Sequence, residues 1–305
     1  MNIAYLISAH TDASQLARLI GALHADADFF VHIDQKSDIR QFTAAIQSAN
    51  VHFLESRVDV RWGTMLEVDY QMLLIKAAID SPCKYDRIFF LSGMDYPLWS
   101  NARIERWLEE HQGEEILQGL CLASPEVEAR HTLIYRIARP FVNLPWLSGK
   151  WNQRIGIVLR NLLKWVGYRK ELTFMMDGDE WSLWKGSAWW CISEELARYV
   201  YDMYMHHPDI TDYFKNSFGQ AETLIQTIAF NSSEWASRCM AATGNYRSLQ
   251  ELTPLHHIDY VPVIRVWKSG DLPVLLQSGK MFARKFQSGV SDDLITEIEE
   301  ERRKE

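Results

Sequence analysis

The chain has 305 residues, 47% hydrophobic and 24% charged, which is enough to bury a large core in one α/β domain or two small ones. A net charge of −8 excludes nucleic acid as the default partner, since phosphate neutralisation needs a basic face. The four cysteines lie far apart without a CxxC pair, so they read as buried free thiols of a reducing compartment and not as a disulfide framework or zinc site.

In chain order, residues 3–8 read as a first buried strand, closed by Ala9 and His10, with Thr11-Asp12 as a helix cap and Leu16, Leu19, Ile20 and Leu23 at helical spacing. Residues 29–33 form a second strand ending in Asp34-Gln-Lys-Ser37, and 51–54 a third, followed by Arg57-Val-Asp-Val-Arg61-Trp62-Gly63. A helix over 64–79 is expected to bury Leu66, Tyr70, Leu73, Leu74 and Ala77. The apolar run 88–91 is a fourth strand, stopped by Ser92-Gly93, with Asp95 ahead of Pro97. Ligands of open α/β sheets bind beyond the carboxyl ends of strands, so Asp95 is either a site carboxylate or the shaper of a turn. Alternating strands and helices with polar strand ends predict a nucleotide-binding α/β sheet. The absence of GxGxxG and GxxxxGK[ST] disfavours dinucleotide dehydrogenases and P-loop kinases. Asp34 either reads a nucleoside or, with Ser37, caps a helix.

The second half is less regular. Glu126, Glu128, Arg130, His131, Tyr135 and Arg136 form a polar segment, and 139–171 carries seven Lys/Arg against a single Glu. With Trp146, Trp151, Leu162 and Trp165 among those basic residues, this segment either packs on its own domain or lies in the headgroup plane of an anionic membrane. Asp177-Gly-Asp179 has the form of a metal-binding Asp-x-Asp, but Asp-Gly between Phe174-Met-Met and Trp181-Ser-Leu-Trp is expected to be a hairpin turn. Residues 184–193 predict a strand with paired indoles, Trp189 and Trp190, and 194–205 a helix. Glu222 is placed in the first turn of a helix burying Leu224, Ile225 and Ile228, where a carboxylate also serves the helix dipole. The alternating charges of 291–305 predict a solvated terminal helix after a domain at 1–290, whose donor half would be 1–125 and acceptor half 126–290.

Seven stretches together resemble the core-2/I-branching β-1,6-N-acetylglucosaminyltransferase and peptide O-xylosyltransferase family, glycosyltransferase family 14. They are Ala4-Tyr-Leu-Ile-Ser-Ala-His10, His32-Ile-Asp-Gln-Lys-Ser37, Arg57 to Gly63, Leu91-Ser-Gly-Met-Asp-Tyr-Pro97, Gly186-Ser-Ala-Trp-Trp190, Ala221-Glu-Thr-Leu-Ile-Gln-Thr227 and Met281-Phe-Ala-Arg-Lys-Phe286. They keep the family's order over residues 4–286. The resemblance implies a GT-A-type fold, with a Rossmann-like sheet flanked by helices, an inverting mechanism and a UDP-sugar donor. It also implies no metal or other cofactor, Glu222 as catalytic base, Lys285 on the diphosphate and Asp34 on the nucleoside. Ala9, His10, Arg61, Trp62 and Asp95, in the matched stretches, join the donor candidates. The family's second diphosphate Arg has no counterpart, because a gapless count back from Lys285 lands on Pro262. Arg265, Lys268 and Arg284 are its candidate substitutes.

The acceptor, a glycan or lipid-linked glycan, is assigned to Glu128, Arg130, Arg136, Trp189 and Tyr260, polar or stacking groups mostly between the matched stretches. Donor sugars other than N-acetylglucosamine, xylose first, stay open, as does a catalytically silent sugar-binding protein of the same fold. The start of the chain shows no signal peptide, and no stretch of ~18 apolar residues occurs. A bacterial-type cytoplasmic enzyme is therefore expected, with peripheral contact to the inner membrane face through 139–171 as the further option.

Overall fold

A computed structural model describes residues 1–127, 136, 146–147, 149–242, 249–260 and 263–305. The first half runs β1 (Ile3–Ala9), α1 (Ala13–Ala22), β2 (Asp28–Ile33), α2 (Ile39–Ala45), β3 (Val51–Phe53), α3 (Leu66–Ile79), β4 (Arg87–Ser92), β5 (Asp95–Pro97), α4 (Asn101–Glu110) and β6 (Glu115–Cys121). Then come α5 (Gly149–Trp165), β7 (Thr173–Met176), β8 (Asp179–Ser182), β9 (Trp184–Lys185), β10 (Cys191–Ile192), α6 (Glu194–His206), α7 (Pro208–Phe214), a 3-10 turn (Gln220–Glu222), α8 (Leu224–Phe230) and α9 (Ser233–Ala236). The chain closes with β11 (Cys239–Ala241), β12 (His256–Ile258), α10 (Leu272–Gln277), β13 (Phe282–Arg284) and α11 (Asp292–Arg302).

The main sheet has the order β11-β6-β10-β4-β1-β2-β3, with β9 added on β6. β1 lies parallel to both β2 and β4, and β10 is antiparallel to β4 and β6. Both faces of β1 are covered, which explains its unbroken apolar run: Ala4 and Leu6 enter one core with α3, while Tyr5 and Ile7 enter another with α1 and α4. This is the expected α/β class. The chain leaves β1 for β2 and β3 on one side and returns as β4 on the other, so a topological switch point opens at the carboxyl ends of β1 and β4. A smaller sheet, β12-β13-β5, backs onto that point.

Several expectations change. α3 buries Val68, Met72, Ile75 and Ala78 along with Tyr70 and Leu74, whereas Leu66, Leu73 and Ala77 are only half-buried. The helix is covered by α6 as well as by the sheet, and Tyr204 reaches it with a hydrogen bond to Asp69. Residues 184–193 are not one strand but two short ones, β9 and β10, separated by a loop that Gly186 makes possible: a Cβ there would lie 2.0 Å from the Gln118 carbonyl oxygen. α11 is not solvated all round, because Leu294, Ile298 and Arg302 are buried and the Arg302 guanidinium donates to the carbonyls of Trp99 and Ala22. The cysteines are unbridged, but only Cys191 is buried and Cys83 is exposed. Asp177 and Gly178, both at positive φ, form the expected two-residue hairpin turn between β7 and β8, and Asp177 lies 3.0 Å from His207. Asp38, not Asp34 or Ser37, caps α2.

Candidate active site

The donor side is assembled at the ends of β1 and β2. The Asp34 amide donates to the Ala9 carbonyl at 2.9 Å, and the Ser37 hydroxyl to the His10 carbonyl at 2.7 Å. These bonds hold the two strand ends together. The nearly buried Asp34 carboxylate accepts from the Lys36 amide and lies 3.2 Å from the Lys36 ammonium, which also reaches Asp59 at 2.6 Å. Asp59 in turn holds Arg61 at 3.1 Å, Arg57 donates to the Ser37 carbonyl, and the Val58 amide donates to His32. Burial pulls the His32 pKa down to about 4, so its ring is a neutral acceptor at physiological pH. The loop 57–63 is thus laced to the end of β2. It carries Trp62, 70% exposed, whose ring meets the edge of Phe218 at 5.7 Å. Phe218 lies on the approach to Glu222, so this indole connects the donor side with the catalytic side.

Beneath the switch point Asp95 is fully buried. It is a turn-shaping residue and more: its carboxylate accepts from the Ser92 amide at 2.7 Å, the Trp189 indole at 3.1 Å and His256 Nε2 at 3.1 Å, and pairs with Arg284 at 3.1 Å. The Arg284 guanidinium also lies over the Trp189 ring at 5.3 Å. Asp95, a donor candidate, is thus also the anchor of two others, Trp189 and Arg284.

On the catalytic side, Gly219 in the left-handed region turns the chain into the 3-10 turn that ends at Glu222. Glu222 thus precedes α8 instead of lying in its first turn. The strap around β9 zips onto this segment. The Gly186 amide donates to the Glu222 carbonyl at 2.8 Å, the Trp184 amide to the Thr227 hydroxyl at 3.0 Å, and the Gln226 side chain to the Ser187 carbonyl at 2.7 Å. The strap delivers Lys185, whose ammonium is 2.5 Å from Glu222 Oε2 and 2.9 Å from the Gly186 carbonyl. Lys185 is 2% exposed, whereas 36% of the Glu222 side chain stays open. One carboxylate oxygen is clamped from behind while the group still faces the crevice.

Two electrostatic effects connect these residues. The Tyr260 hydroxyl is pushed up to about 12, first by the protein packed around it and then by the Glu222 charge, with Lys185 and Arg284 acting oppositely. His10 is pulled below its ordinary value by partial burial and by the charges of Arg284, Lys285 and Lys36, against the opposing pull of Asp34. Arg284 thus acts on both Tyr260, which also feels Glu222 and Lys185, and His10, which also feels Asp34 and Lys285. Lys285 is held by its backbone, bonded both ways to the segment of Arg265 and Trp267, and its ammonium makes no ion pair among the described residues.

The two other basic candidates are Arg265 and Lys268. The Arg265 guanidinium pairs with Asp271 and Asp259 and lies over Trp267, and Lys268 is exposed with its amide on Asp271. Of the acceptor candidates, Tyr260 feels the charges of Glu222, Lys185 and Arg284, and Trp189 bonds Asp95 beneath Arg284. Arg136 is described through its carbonyl, which accepts from the Lys170 amide, while Glu128, Arg130 and the counterpart position Pro262 lie outside the described residues. Lys36, Lys185 and His256 were missed by sequence reasoning. The available signal was a lysine set between Trp184 and Gly186 in an apolar run, where a buried cation needs an anion. Among the described residues no group of three His, Cys, Asp or Glu could hold a metal ion.

The family model for the Core-2/I-Branching enzyme matches residues 3–262. The human probable β-1,3-galactosyl-O-glycosyl-glycoprotein β-1,6-N-acetylglucosaminyltransferase 7 is 19% identical over 319 residues, covering 99% of this chain and 68% of its own length. The human N-acetyllactosaminide β-1,6-N-acetylglucosaminyl-transferase is 24% identical over 301 residues, covering 93% and 68%. Among solved structures, the galactosyltransferase LgtC in complex with donor and acceptor sugar analogs is 10% identical and covers 99% of this chain and 96% of its own at a TM-score of 0.42.

Proposed function

The chain belongs to the Core-2/I-Branching enzyme family of glycosyltransferases, and from that premise we propose that it moves N-acetylglucosamine from UDP to a glycan hydroxyl by an inverting, metal-independent transfer. The observation that supports this reading is a carboxylate, Glu222, clamped by Lys185, with Arg284 acting both on Tyr260 beside it and on His10, which also feels Lys285. In such a transfer Glu222 takes the proton of the acceptor hydroxyl as its oxygen bonds to the anomeric carbon. The bond from that carbon to the UDP oxygen breaks on the opposite face, and the electron pair leaves with UDP. Lys285, with Arg284 in the place of the family's second diphosphate Arg, stabilises the charge that develops there. One cation about 4 Å from the departing phosphate, at an effective dielectric near 20, contributes about 4 kcal/mol, so two such groups match the task of a divalent ion. Asp34 and His10 hold the nucleoside end, with Arg61 and Trp62 along its loop, and Tyr260 and Trp189 receive the acceptor sugar.

The test is a panel of nucleotide sugars with and without EDTA. UDP-N-acetylglucosamine is expected to bind and to release UDP slowly at a rate that chelation leaves unchanged. Preference for UDP-xylose would replace the donor, EDTA-sensitive turnover would replace the leaving-group chemistry, and failure to bind any nucleotide sugar would overturn the enzyme reading.

Lys185 has a positioning role in this scheme, since it touches Glu222 and not the reacting atoms. Lys185→Met should lower kcat by up to about 10²-fold, the cost of a carboxylate displaced by an ångström or so. The donor KM should stay put. A variant changed only in KM would refute the assignment.

A further inference from the structure

The basic segment holds an amphipathic helix turned the wrong way round for a soluble domain. Along α5, Trp151, Ile155, Val158, Leu162 and Trp165 recur at spacings of four and three and form one stripe. In a helix packed on its own domain such a stripe is buried. Here Trp151 is 54% exposed, Val158 64%, Leu162 52% and Trp165 82%, and only Ile155 is half-covered. The half-buried edge of the helix is instead the one that carries Asn152, Gly156, Arg160 and Leu163. The exposed surface extends past both ends of the helix, through Trp146 at 77% and through Val166 and Tyr168. No described helix is long and apolar enough to cross a membrane, so the feature is a surface and not a span.

Charge decides what covers it. Arg154 and Lys150 border the stripe on one side, Lys164 and Arg160 lie farther round the helix, Arg169 follows, and the run from 139 to 170 contains no Asp or Glu. The Arg154 guanidinium lies 5.1 Å over the Trp151 ring, so cation and indole form one amphipathic unit. A second copy of this chain docked stripe to stripe would bring together two basic segments without an acidic residue, and that repulsion works against a symmetric pair. An anionic surface is attracted by the same segment. The positive charge is also local, in a chain whose net charge is −8. We propose that α5 with its flanking residues is an interfacial docking element, lying in the headgroup plane of an anionic lipid bilayer with Trp151, Val158, Leu162 and Trp165 inserted.

The segment is tied to the rest of the chain just beyond the helix. Beyond α5 the segment turns inward at Lys170, whose ammonium donates to the Tyr213 carbonyl and to the Ser217 hydroxyl at 2.6 Å. Burial lowers that ammonium to about 8. Ser217 leads directly to Gly219 and Glu222, so a bilayer bound by α5 lies a fixed short chain path from the acceptor side of the crevice. The inference is independent of which sugar is transferred.

The experiment is flotation of the full chain with phosphatidylcholine vesicles made with and without phosphatidylglycerol. Binding is expected only with phosphatidylglycerol and should weaken as salt is raised. Arg154→Gln with Lys164→Gln should lower partitioning by roughly 30-fold, at about 1 kcal/mol for each basic residue near the surface. Trp151→Ala with Trp165→Ala should abolish it, and UDP-sugar binding in solution should be unchanged in both double variants. No flotation, or equal flotation with neutral vesicles, would overturn the proposal. So would a dimer in solution that the tryptophan substitutions convert to monomer, since the face would then cover a second copy.

Discussion

Glu222→Gln should cut glycosyl transfer by about 10²–10⁴-fold, the span that a positioned general base contributes, while donor binding stays intact. The substitution keeps shape and removes only basicity. A glutamine oxygen can still accept from Lys185, which keeps its second partner, the Gly186 carbonyl. The backbone bond from the Gly186 amide to the carbonyl of residue 222 is untouched, so the strap stays in place. Rival bases nearby are poorly suited. Tyr260, pushed up to about 12, keeps its proton at neutral pH and can donate but not abstract. His10 is neutral and could accept a proton, but it stands among the cations of the donor side, where a developing positive charge is opposed by Arg284, Lys285 and Lys36. The readouts are UDP release with acceptor present and calorimetric titration of the donor. Wild-type turnover by the variant would sink the base assignment, and loss of donor affinity would show that Glu222 also holds the sugar.

The parts of this fold that were legible in the chain are those in which one local rule decides the outcome. The unbroken apolar runs of β1 and β4 follow from burial on both faces, and Asp177-Gly178 folds as its dipeptide demands. Order along the chain also placed Asp34, Lys285 and Glu222 on matched motifs. What could not be read are pairings closed by long-range topology. Lys185 meets Glu222 across 37 residues, and His256 meets Asp95 across 161. Neither spacing follows from helical or strand periodicity. The charged surface pattern of 291–305 concealed a buried stripe, because Leu294 and Ile298 occupy few positions and the helix is otherwise acidic. The amphipathicity of α5 was visible, but which way its stripe faces is a property of the assembled body alone.

Asp95→Ala should be the most damaging single change to stability, at about 3–5 kcal/mol, because it strips the counter-charge from a buried network. It would leave the Arg284 guanidinium, His256, the Trp189 indole and the Ser92 amide without their shared acceptor at the floor of the crevice. Burial alone would raise the Asp95 pKa, but His256, Arg284 and the Ser92 amide outweigh it and hold the carboxyl below its ordinary value. Burial likewise takes His256 below its ordinary value, against the pull of Asp95, and its Nδ1 has no partner among the described residues. The consistent state is an ionised Asp95 accepting from a neutral imidazole that carries its proton on Nε2. Both depressed values have the same sign in linkage. Each group binds fewer protons folded than unfolded, so the stability it contributes is present above the unfolded value and lost as pH falls toward the folded one. Acidification should therefore begin to weaken the protein as pH drops through about 6.5, from His256 together with His10, His24, His32 and His257, which are also held below their ordinary value, and weaken it further below about 4, from Asp95. Urea midpoints measured between about pH 7 and pH 5 should fall for the native chain, and more shallowly for His256→Gln, whose side chain has no proton to gain. Asp95→Ala should have a much lower midpoint at neutral pH. It should also transfer sugar poorly where it is still folded, since Arg284 is no longer aimed at the crevice. An unchanged midpoint would mean that the carboxylate is dispensable and that Trp189 and Arg284 are held by packing alone.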